Sequence, residues 1–78
     1  MERVTVLVSE GAPLTSFQPI LGAVIEACGG SATDCMAYDR GSGWLMAVHP
    51  RLQVQVTVQY EGSRPPAGVT AVFLGGEG

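Results

Sequence analysis

Residues 52–60 read LQVQVTVQY, an unbroken alternation of apolar and polar positions. In a pleated strand this period of two puts Leu52, Val54, Val56, Val58 and Tyr60 on one face and Gln53, Gln55, Thr57 and Gln59 on the other. The polar face carries no charge. Residues 2–9 alternate in the same way, with Val4, Val6 and Val8 against Arg3, Thr5, Leu7 and Ser9, and predict a first strand. The period then changes: Phe17, Ile20, Leu21, Val24, Ile25 and Cys28 recur at three- and four-residue spacing, the stripe of a helix lying on a sheet. Thr15 followed by Gln18 fits a capping box, Pro19 falls in the first turn where no intrahelical donor is lost, and Gly29-Gly30 ends the helix.

Past that stop, residues 33–40 and 44–49 predict two strands joined through Gly41-Ser42-Gly43, a hairpin by composition. Pro50 marks the next turn, so the strand at 52–60 pairs antiparallel with residues 44–49. Residues 61–68 (EGSRPPAG) form a loop, and residues 69–74 a last short strand. The fold class is α+β, a single domain of order β-α-β-β-β-β in which one helix packs on a mainly antiparallel sheet. Residues 1–74 make that domain, and 75–78 a flexible glycine-rich tail. The tail resembles that of ubiquitin-like sulfur carriers and modifiers in its Gly75-Gly76 pair. Two residues follow that pair, however, and the predicted order is not the ββαββ of those proteins.

Geometry connects this order to function. A helix is about 10 Å across and strands lie about 4.8 Å apart, so one helix covers roughly two to three strands of five. Apolar side chains occupy both faces, since Trp44, Met46 and Val48 alternate with Leu45 and Ala47. An uncovered apolar area of that kind marks an interface. The expectation is therefore a homodimer or an obligate protein partner.

Composition narrows the chemistry. The chain has 78 residues, of which 14% are charged, with a net charge of −3 and all four of its cations arginine. An ordinary domain has about 25% charged residues. Without lysine there is neither a phosphate-loop lysine nor Schiff-base chemistry, and without asparagine no N-glycosylation acceptor. Scattered arginines in an acidic chain supply no basic footprint for nucleic acid. The chain does not open on a basic segment followed by an apolar one, and no apolar run approaches the roughly 20 residues of a membrane span. A cytoplasmic protein without a membrane partner is expected.

Candidate sites are few. Cys28 and Cys35, with Asp34 and His49, carry the right atoms for zinc, but their spacing is not that of a structural ligand set, and the cysteines are read as small apolar fillers. His49, before Pro50 and Arg51, would need a cleft, an orienting carboxylate such as Asp34 or Asp39, and a nucleophile to act as a base. Asp39, Arg40 and the glycine turn are weighed as an anion cradle against a turn chosen for backbone freedom, and the turn is preferred. The expectation is no metal, no cofactor and no catalytic residue. Function is expected to be that of a small protein-binding accessory or inhibitor protein, of the kind encoded by phages or mobile elements. Its partner-binding residues are then Trp44 and Tyr38 as aromatic anchors with Gln53, Gln55, Thr57 and Gln59. The alternative is a small-molecule-binding oligomer with a pocket at the subunit interface near Trp44, Tyr38 and His49.

Overall fold

A computed structural model describes residues 1–66, with the side chains of Ala37 and Tyr38 excluded. The strand expected at 69–74 and the tail at 75–78 lie outside the described residues. Among the described residues, β1 (Glu2–Val8), α1 (Phe17–Ala27), β2 (Met36–Gly41), β3 (Trp44–His49) and β4 (Val54–Tyr60) form one helix on a four-stranded sheet of order β1-β4-β3-β2. The α+β class stands. β2–β3 and β3–β4 are antiparallel, as the two expected hairpins require, while β1 runs parallel to β4, from Glu2 beside Val54 to Val8 beside Tyr60. None of the described helices is long and apolar enough to cross a membrane.

The two periodicities meet in the core. Val54, Val56 and Val58 of β4, with Leu45 and Ala47 of β3, face Phe17, Leu21 and Ile25 of α1, and Val8 joins them from β1. Leu21, Ile25, Val56 and Val58 are fully buried. The alternating strand and the helical stripe thus bury the residues their spacing assigns. Tyr60 ties the layers together: its ring meets Phe17 edge-on with centroids 4.8 Å apart, and its hydroxyl donates to the Ala12 carbonyl at 2.7 Å.

The two ends of α1 are built differently. Leu14–Ser16 form a 3-10 turn, so α1 starts after Ser16, whose hydroxyl donates to the Pro13 carbonyl at 2.6 Å and caps no backbone N–H of α1. The capping box of Thr15 and Gln18 does not form. The C-terminal end follows expectation: Gly29 takes φ +99°, its N–H donates to the Glu26 carbonyl at 3.0 Å, and the Gly30 N–H reaches Ile25 at 3.1 Å. These two bonds make a Schellman motif.

Two strand boundaries are corrected. Ala32–Asp34 form a second 3-10 turn, with the Ser31 hydroxyl accepting from the Thr33 N–H, so β2 begins only at Met36. Gln53 stands at φ +56°, a left-handed conformation that excludes it from β4 although its side chain continues the alternation. The hairpin between β2 and β3 pairs Gly41 with Trp44 around Ser42-Gly43, with positive φ only at Gly43 (+79°), the second central position, as in a type II turn.

Two glycines make opposite predictions. A Cβ on Gly22, within α1, would meet only the Ala32 methyl at 3.8 Å, so Gly22→Ala is expected to raise stability by about 0.5–1 kcal/mol through helix propensity. A Cβ on Gly43 would lie 3.1 Å from Tyr60 Cδ2 and would sit on a positive φ, so Gly43→Ala is expected to cost about 1–2 kcal/mol. Urea denaturation of both variants checks the pair, and midpoint shifts of the same sign would contradict the turn geometry.

Candidate functional site

Because α1 packs chiefly on β4 and β3, the described elements leave the β2 side of the helix-facing surface open. A groove runs there between the start of α1 and the β2–β3 hairpin. One part has a volume of about 670 Å³ and is lined by Gln18, Ala32, Thr33, Asp39, Arg40 and Leu45. The other, about 460 Å³, shares Gln18, Arg40 and Leu45 and adds Leu14, Thr15, Phe17, Gly41 and Trp44. Leu14 is 63% exposed at its lip. The 3-10 turn before α1 puts Leu14 outside the helical stripe, which is why the chain leaves it in solvent.

Charge in the groove comes from Asp39 and Arg40. The Asp39 carboxylate accepts the Arg40 backbone N–H at 2.8 Å, and among the described residues no carboxylate forms an ion pair with the Arg40 guanidinium. Trp44 is buried against the hairpin: a Cβ on its partner Gly41 would come within 2.6 Å of the indole Cε2, so the ring lies over that glycine. The groove can therefore take an apolar group beside Leu45 and Trp44 and an anionic group beside Arg40.

The expected partner-binding residues are distributed differently from the single face their spacing implied. Gln53 lies in the turn, where its side-chain amide donates to the Pro50 carbonyl at 2.9 Å and its own carbonyl accepts the Glu2 N–H at 2.9 Å. Gln55 and Thr57 are only 4% and 5% exposed, opposite Val48 and Met46, so the expectation of an open glutamine face is corrected at its centre. β4 is an inner strand with neighbours on both sides, and both of its faces are enclosed. Gln59 is half-buried opposite Trp44, and Tyr38 lies on β2 with its side chain outside the described residues.

A second cluster forms at the other end of β3. His49 is fully buried, its Nδ1 accepts the Leu52 N–H at 3.2 Å, and its Nε2 lies 4.0 Å from the Asp34 carboxylate, beyond hydrogen-bond distance. Asp34 does approach, as its candidacy required, but its side chain is 59% exposed while the imidazole is sealed. Gly30 closes the other side, since a Cβ there would meet His49 Nε2 and Leu52 Cδ1 at 2.7 Å each. Cys28 and Cys35 are each half-buried against the core. Among the described residues no group of three or more His, Cys, Asp or Glu side chains is arranged to hold a metal ion. The geometry of His49 is that of a side chain locking the turn between β3 and β4.

In the sequence Arg40 reads only as part of an anion cradle, and Leu14, Gln18 and Leu45 carry no site signal beyond the place of Leu14 as an apolar residue ahead of the helical stripe. Compared with protein-family models, curated proteins and solved structures, the chain matches none.

The His49 cluster generates a packing prediction. Gly30→Ala forces the imidazole and Leu52 aside and is expected to cost about 1–3 kcal/mol. His49→Ala removes the acceptor of the Leu52 N–H and leaves a cavity, with an expected loss of about 2–4 kcal/mol. Denaturation midpoints of the single and double variants check this. Coupling between the two sites is expected, and strict additivity would separate His49 from Gly30.

Proposed function

We propose that this chain is a small protein-binding accessory or inhibitor protein of the cytoplasm, of the kind phages and mobile elements encode, working as a homodimer. The observation that carries the binding role is the groove beside α1, with apolar Leu45 and Trp44, an exposed Leu14 lip, and an arginine that no carboxylate among the described residues neutralises. Such a surface suits an extended segment of a partner that presents one apolar side chain and one carboxylate. Trp44 keeps the anchor role its residue type suggested, through the hairpin end of the groove.

A second reading is favoured by volume. The part of the groove that Trp44 lines, about 460 Å³, is within the range of small-molecule sites. Trp44 and His49 stand at opposite ends of β3, about 16 Å apart along the strand, with their side chains on opposite faces. A ligand site in this chain is therefore proposed at the Trp44 end, with an oligomer closing it.

The test is capture of a partner from source lysate, quantified for the unaltered chain, for Arg40→Glu and for Glu26→Gln, a change on an exposed helix position away from the groove. A stoichiometric protein lost by at least about tenfold with Arg40→Glu, and retained with Glu26→Gln, is the expected outcome. Retention with both variants removes the groove from the proposal. A bound small molecule in native mass spectrometry, without a protein partner, would favour the second reading instead.

A further inference from the structure

Among the described strands β1 lies at one end of the sheet, and its backbone shows which of its groups are already used. The Glu2 N–H donates to Gln53 and the Val8 carbonyl accepts from Glu61, both on the β4 side. N–H and C=O of one residue point to the same side of a strand, so Glu2, Val4, Val6 and Val8 turn theirs toward β4. Arg3, Thr5 and Leu7 turn theirs outward, where no described strand lies. The register with β4 is unbroken along the whole strand, unlike β2, which carries a register shift between Met36 and Asp39. β1 therefore lacks the bulge that blunts the opposite edge.

We propose that two copies of this chain join through antiparallel pairing of β1 with β1, about a twofold axis at Thr5. In that register Thr5 faces Thr5, and Arg3 faces Leu7 of the other copy. These are the residues whose N–H and C=O point outward, so every pair on the edge can exchange both backbone bonds. The side chains agree with the backbone. On one face Leu7, 60% exposed in the single chain, comes to lie beside the aliphatic stem of Arg3. On the helix-facing side, half-buried Val4 meets Val6 in the closer, non-hydrogen-bonded spacing. Glu2 falls opposite Val8, so no like charges are opposed. A slip by two residues in either direction leaves one of the three outward residues unpaired within β1. The register is thus specified by both the backbone and the side chains, and it joins the two sheets into one across an isologous interface.

This inference deepens the homodimer reading and rests on it, but it uses a surface separate from the groove. The experiment separates the two. Sedimentation equilibrium of the full chain across the micromolar range measures whether a dimer forms. Residue-resolved amide hydrogen exchange at low and high concentration measures where it forms. The expected result is a dimer in which the Arg3, Thr5 and Leu7 amides gain protection with concentration while those of Val4 and Val6 do not change. Thr5→Pro removes only an outward N–H, which an edge strand tolerates, and is expected to weaken the dimer by at least about tenfold. Leu7→Lys, which leaves every backbone group in place, should weaken it as well and covers the case in which the proline variant fails to fold. A monomer at all concentrations overturns both the homodimer and its interface. A dimer whose β1 amides stay unprotected overturns the interface alone. Protection of those amides at every concentration shows an occupant from within the chain, and a dimer unaffected by Leu7→Lys likewise places the contact elsewhere.

Discussion

The width of one helix is the constraint on which the rest of this structure depends. α1 lies over β4 and β3, and its stripe of Phe17, Leu21 and Ile25 is matched to Val54, Val56, Val58, Leu45 and Ala47. Burial of such side chains, each contributing about 1.5–3 kcal/mol, gives a small domain most of its stability and leaves little to spare. A helix about 10 Å across cannot also roof the strands on either side. The groove beside β2 and the half-covered valines of β1 are consequences of the same shortfall.

β1 is held despite that incomplete roof by its unbroken register with β4 from Glu2 to Val8, which bonds at both ends extend. Gln53 receives the Glu2 N–H at one end, and Glu61 donates to Val8 at the other, so the parallel pairing with β4 is fixed just beyond the limits of β4 itself. The left-handed φ of Gln53 lets one residue do two things: its carbonyl serves β1 while its side-chain amide closes on Pro50. His49 secures the same turn from inside by accepting the Leu52 N–H. The buried imidazole, the strained glutamine and the first residue of β1 are thus parts of one junction.

Local pattern revealed the elements but not their neighbours. Alternation at Val54–Tyr60, the stripe from Phe17 to Cys28 and the Gly29 stop all follow from side-chain spacing and glycine's conformational freedom, and each is where the pattern assigns it. Alternation also ran on through Leu52 and Gln53, because it records the identity of side chains and not the φ of the backbone carrying them. The capping box failed for a related reason: Pro13 offers Ser16 a carbonyl one turn earlier, and the chain enters α1 through a 3-10 turn. The parallel pairing of β1 with β4 joins residues some fifty positions apart, and no local spacing encodes it. The groove was legible only as an area in need of cover, since its lining comes from four separate segments.

The uncharged polar face of β4 gains its meaning from the burial of this strand on both faces. Placed between β1 and β3, Gln55 and Thr57 are enclosed opposite Val48 and Met46, where an unpaired ammonium or carboxylate would carry a large desolvation penalty and a neutral amide or hydroxyl a much smaller one. A one-residue slip would carry these polar groups into the valine core and the valines out of it, so the alternation pins the register of the central strand. Among the described residues, the outward backbone of β1 and the open side of β2 are the parts of the sheet that this strand does not complete.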